Sequence, residues 1–173
     1  FVGSGTYFES VTLANDGTAA DRIEFVADST GDFTGDAGTV VIDGSGANDV
    51  VVITGDHVTL EGFHVRGASR SGTEGAGVRV GDTPTEGVIL RKNHIYANRR
   101  GIAAKKAHGL ILEDNVISNN ANSSTIAFLG STPGGEGVRL SDCEDVTALN
   151  NLVYNNGGRG VYATDGSTSV LLQ

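Results

Sequence analysis

Apolar residues along this chain fall at every second position of runs only three or four residues long, and the runs recur. One set reads Gly77-Val78-Arg79-Val80, Gly101-Ile102-Ala103-Ala104, Gly137-Val138-Arg139-Leu140 and Gly160-Val161-Tyr162-Ala163, with Val50-Val51-Val52 in the same slot earlier on. A second set reads His57-Val58-Thr59-Leu60, Gly87-Val88-Ile89-Leu90, Gly109-Leu110-Ile111-Leu112 and Asp145-Val146-Thr147-Ala148. A period of two marks strands. No helix-period stretch of useful length separates them, which argues against crossover helices. The step from Val58 to Val88 is 30 residues, then 22 to Leu110, 36 to Val146 and 24 to Val170. The basal unit is therefore near 22 residues, lengthened where loops are inserted.

Strands this short do not hold together as isolated hairpins. Stacked in successive coils, each pairs with its copies about 4.8 Å above and below, and the alternate side chains merge into one continuous core. The predicted fold is all-β: a right-handed, single-stranded parallel β-helix with coils of about 22 residues. Asn93, Asn115 and Asn151 share one slot of consecutive coils, and Asn98, Asn120 and Asn156 share another five residues later. Asn tolerates the left-handed conformation of a sharp bend. Stacked amides also hydrogen-bond along a column, so these six are predicted to form a structural asparagine ladder. Residues 1–49 are expected to make an irregular first coil, with strands at 11–13, 23–26 and 40–42 and a loop over 28–38. Residues 50–173 are expected to be regular coils with loop insertions near 69–76 and 121–136. The chain is expected to be a single domain spanning 1–173 and a piece of a longer protein, whose other domains would be its partners.

Composition narrows the function classes. Gly, at 26 residues without a Gly-X-Y period, means tight turns rather than collagen. The net charge of −9 argues against gripping nucleic acid or an anionic membrane. No apolar run is long enough to span a membrane. The single cysteine, Cys143, lies among Asp142, Glu144 and Asp145, which disfavour a thiolate. No metal-ligand spacing is present. His64 and His94 share a slot without a third ligand and read as surface histidines. No cofactor is expected, Ca²⁺ at turn carboxylates being the one candidate, unsupported by a calcium-loop motif.

With its Asn-punctuated coils, the chain resembles the right-handed parallel β-helix superfamily of pectate lyases, and within it the carbohydrate-binding and sugar-hydrolysing repeat proteins. Gly5-Thr6-Tyr7-Phe8-Glu9 and Val41-Ile42-Asp43-Gly44 look like the usual entry to such helices. The first of these also matches a Gly-x-Tyr-x-Glu motif of pectin methylesterases. That family's Gln-Asp and Asp-Phe-x-x-Gly motifs are missing, as are the Asp-Pro-His of alginate epimerases and the paired Asp motifs of polygalacturonases. The resemblance implies three sheets, with the Asn93-type bend between the second and third and the Gly-Val-x-Val strands in the first. It also implies a secreted, cell-surface or periplasmic protein with polysaccharide lying along the outer face of the first sheet.

On that face the outward column is read as Val51, Arg79, Ala103, Arg139 and Tyr162. Arginines fork onto uronate carboxylates, and tyrosine stacks on sugar faces. Arg79, Arg139, Tyr162 and Lys105 are the candidate substrate-binding residues. The turns leaving the sheet carry Asp82, Glu86, Lys105, Lys106, His108, Asp142, Asp145 and Asp165. A uronate lyase needs a cation on the carboxylate and a base for the α-proton. Arg79, Lys105 or Arg139 fit the first role and Lys105 or His108 the second. A hydrolase needs two carboxylates flanking one bond, for which Asp82, Asp142 and Asp165 are available. The alternative is a non-catalytic structural or adhesive spacer of a larger surface protein. On the second sheet the outward column reads Thr59, Ile89, Ile111, Thr147 and Leu171, and its isoleucines predict a covering partner.

Overall fold

A computed structural model describes residues 1–69, 75–121 and 135–173. The predicted insertions near 69–76 and 121–136 lie largely outside those residues. All regular structure among the described residues is strand, eighteen in number. The first sheet stacks β2 (Val11–Leu13), β5 (Val51–Ile53), β8 (Ala76–Glu86), β11 (Arg100–His108), β14 (Val138–Ser141) and β17 (Val161–Thr164). The second stacks β3 (Ile23–Val26), β6 (Val58–Glu61), β9 (Ile89–Arg91), β12 (Ile111–Glu113), β15 (Glu144–Leu149) and β18 (Thr168–Leu172). The third stacks β1 (Gly5–Phe8), β4 (Val40–Asp43), β7 (His64–Arg66), β10 (His94–Tyr96), β13 (Val116–Ser118) and β16 (Leu152–Tyr154). Every pairing is parallel, and each strand lies on its counterpart one coil away. The molecule is a right-handed parallel β-helix, with coils counted here from β2. β1 adds a third-sheet strand ahead of the first coil.

Inward columns build the core. Val78 stacks on Ile102 and Val138, Leu60 on Leu90 and Leu112, and Val65 on Ile95 and Ile117, all buried. Each such side chain contributes about 2 kcal/mol by leaving water. β8 and β11 are long because they run on round the corner into the second sheet, where His108 pairs with Glu144. That continuation fixes the turn from which Lys105 and Asp82 project.

The bends divide their work differently from the prediction. The positive-φ residues are Lys92, Asp114 and Asn150, each one position ahead of Asn93, Asn115 and Asn151. Likewise Ala97, Asn119 and Asn155 precede Asn98, Asn120 and Asn156. The stacked asparagines therefore act through their amides rather than through left-handed backbone. Asn115 Nδ2 donates to Leu90 O at 2.8 Å and to Asn151 Oδ1 at 2.9 Å. Its Oδ1 accepts from Asn93 N at 3.0 Å and Asn93 Nδ2 at 3.1 Å. Asn98, Asn120 and Asn156 repeat this pattern between the third and first sheets. Entry into the first sheet needs glycine for another reason. A Cβ on Gly101 would stand 2.5 Å from Gly137 O and 2.5 Å from Ile117 Cγ2.

Candidate functional site

Strand register sets the outer face of the first sheet. Thr12, Val52, Arg79, Ala103, Arg139 and Tyr162 form one column. Val51 is not in it: it pairs with Val78, points inward and is completely buried. A run of three valines has no alternation to reveal its parity, so only pairing decides which one faces out. Three residues ahead of the column's members stand Asp49, Ala76, Arg100, Glu136 and Arg159. This second set supplies most of the ion-pair partners.

Arg79 grips Asp49 with two hydrogen bonds, Nε to Oδ2 at 2.7 Å and Nη2 to Oδ1 at 3.2 Å, and approaches Asp82 at 3.4 Å. Its guanidinium already faces two carboxylates, which weakens the expected role as a uronate fork. Arg100 Nε meets the buried Glu136 at 3.1 Å. Lys105 and Arg139, in contrast, make no ion pair within 4 Å among the described residues. Arg139 instead lies 5.9 Å from the centre of the Tyr162 ring, and Arg159 covers that ring at 3.9 Å. Tyr162 thus carries a guanidinium where a sugar was expected to stack.

These groups border an open groove of about 600 Å³, floored by Val52, Ala103 and Ala104 and lined by Asp49, Arg79, Asp82, Arg100, Lys105, Arg139, Ser141 and Asp165. Ser141 Oγ donates to Asp165 Oδ2 at 2.6 Å. That hydrogen bond first, then one from the Thr164 hydroxyl and the nearby Arg139 and Lys105 cations, hold the Asp165 carboxyl below its usual range against its partial desolvation. Asp142 and His108 do not line the groove. His108 Nε2 sits 3.1 Å from Asp145 on the exposed corner between the first and second sheets, too far round to serve as a groove base. Asp82 and Asp165 belong to the third and sixth coils, three rises or about 14 Å apart. That is wider than a pair of hydrolytic carboxylates allows.

Residues 30–173 match the family described as right handed beta helix region. The chain belongs to that family. No curated protein is matched. Among solved structures the chain is similar to an alginate lyase from Paenibacillus sp. str. FPU-7, at 15% identity with a TM-score of 0.36, over 96% of this chain and 89% of that one.

The other outer faces of this β-helix carry less chemistry. On the second sheet Thr59, Ile89, Ile111, Thr147 and Leu171 line up as predicted. The cover over Thr59 is Arg22, which donates to Thr59 Oγ1 at 3.0 Å, Val58 O at 3.3 Å and Gly87 O. On the third sheet His64 and His94 stack edge to face at 5.0 Å. Among the described residues no three His, Cys, Asp or Glu side chains are grouped to hold a metal. The loop over residues 28–38 is organised by the buried Asp28, which accepts hydrogen bonds from the backbone of Gly31, Phe33 and Thr34. Burial pushes its pKa up, but those backbone donors and the Thr34 and Thr30 hydroxyls outweigh it and hold the carboxyl far below the usual range.

Proposed function

We propose that this β-helix is a polysaccharide-interacting module, working outside the cell, at its surface or in the periplasm, and seating an acidic glycan along the outer face of its first sheet. One observation carries the reading: a chain of net charge −9 places Lys105 and Arg139 in one groove with no carboxylate paired to either among the described residues. An anionic sugar supplies the missing counter-charge. The coil rise of about 4.8 Å also approaches the rise of one sugar in an extended chain.

If the groove cleaves its glycan, elimination fits better than hydrolysis. In elimination Arg139 neutralises the uronate carboxylate, and Lys105, after giving its proton to solvent, takes the proton from the adjacent carbon as a neutral amine. The bond to the leaving oxygen breaks, the Lys105 ammonium so formed protonates that oxygen, and an unsaturated uronate remains. The Asp82–Asp165 separation does not suit a hydrolytic pair.

Arg139→Ala and Lys105→Ala should each weaken retention on immobilised acidic glycans by about tenfold, the worth of one charge-assisted contact. The melting temperature should change little, because both side chains lie outside the core. Equal retention of wild type and both variants across alginate, pectate and gellan-type columns refutes the groove as a glycan site. Absorbance of unsaturated uronate in the same incubations tests cleavage. The second reading, a structural or adhesive spacer, draws support from the Arg79–Asp49 and Arg100–Glu136 pairs, which tie adjacent coils together. It predicts no retention on any glycan.

A further inference from the structure

Charge changes sign along the groove. Toward the N-terminal coils, Asp49 and Asp82 enclose Arg79, a group with one negative charge in excess among the described residues. In the middle, Arg100 and Glu136 cancel. Toward the C-terminal coils stand Lys105 and Arg139, with Arg159 beyond them over Tyr162, against the single carboxylate of Asp165. With about one sugar per coil, a uronate over the fourth or fifth coil meets cations. A uronate over the second or third coil meets Asp49 and Asp82, and Arg79 has no net charge left to offer it. Asp82 is half exposed, so its carboxylate remains open to a hydroxyl donor from solvent.

We propose that the groove is built for a sparsely acidic polysaccharide: one uronate seated at Lys105 and Arg139, followed toward the N-terminal coils by at least two neutral sugars, with sugar hydroxyls donating to the half-exposed Asp82. This rests on the groove being a glycan site and narrows the class of glycan. A polymer acidic at every sugar pays a repulsion at the second and third coils. A strictly alternating one fares no better, because an acid on the fifth or fourth coil returns another to the third or second.

The test titrates the whole chain with three oligosaccharides of equal length: a fully acidic oligogalacturonate, a deacylated gellan fragment with one uronate in four sugars, and a neutral cello-oligosaccharide. The gellan fragment should bind most tightly. Asp82→Asn should raise affinity for oligogalacturonate about two- to fivefold, the range of one exposed charge interaction, and leave the gellan fragment unchanged or weaker. The variant should fold, because Asn tolerates the left-handed backbone at Asp82, φ 80°, and a thermal melt checks this. Tighter binding of oligogalacturonate than gellan by wild type, or no response of oligogalacturonate to Asp82→Asn, overturns the inference and leaves the glycan site standing. Binding of neither acidic probe overturns the glycan site itself.

Discussion

His64 and His94 face each other on adjacent coils of the third sheet, with Tyr96 against both rings. Burial lowers both pKa values, and the second imidazole adds to the effect at His94. A histidine whose folded pKa lies below its unfolded value binds fewer protons in the native state. Its contribution is intact above the unfolded pKa of about 6.5 and is lost as pH falls from there through the lowered folded value. Melting temperature should therefore drop between pH 8 and pH 5, and a His64→Gln/His94→Gln double variant should flatten that slope. An unaltered slope would place the titration elsewhere. Asp28 works in a lower window: its depressed carboxyl stabilises the loop above the ordinary carboxylate range and releases it only in stronger acid. Neither effect was legible in the sequence. The shared slot of the histidines was, but their burial depends on neighbouring coils, and the Asp28 donors come from a loop without periodicity.

The asparagine columns belong to the scale of whole elements, because each amide joins adjacent coils and that of Asn115 joins three. Asn115→Ala would leave Asn93 N without its side-chain acceptor and take one donor from Leu90 O. Losses of this kind at buried groups cost about 3 kcal/mol together, to be read from the shift in a denaturant midpoint. A loss no larger than that of Asn155→Ala, at an exposed bend position outside the column, would show that the amides do not carry the load. The strands were readable wherever apolar and polar positions alternate, as in Val78-Arg79-Val80. At Val50-Val51-Val52 the strand was readable but its parity was not, because every position is apolar and the outward member is Val52. The αL positions were misassigned by one residue, because the regular spacing of asparagines reports a column without reporting which neighbour takes the strained dihedral.

Across the whole molecule, the inward columns of the three sheets join into one core, in which Val78, Leu90 and Ile95 are fully buried. The groove also belongs to this scale, since its residues come from β5, β8, β11 and β14 and from the turns before β5 and after β17, spread over more than a hundred positions of chain.

By itself the sequence determined the solenoid, its repeat and the columns of Asn93 and Asn98, because a period of two and a repeat near 22 residues are properties of neighbouring positions. It also brought Arg79, Lys105, Arg139 and Asp165 to one face, because register follows from the repeat. Only the tertiary structure decided which of those cations already has a partner. Asp49 lies 30 residues before Arg79, and Glu136 lies 36 after Arg100. Ion pairing depends on side-chain reach across coils, which no periodicity encodes. That is why only the structure shows Arg79 held between Asp49 and Asp82, while Lys105 and Arg139 make no ion pair within 4 Å among the described residues.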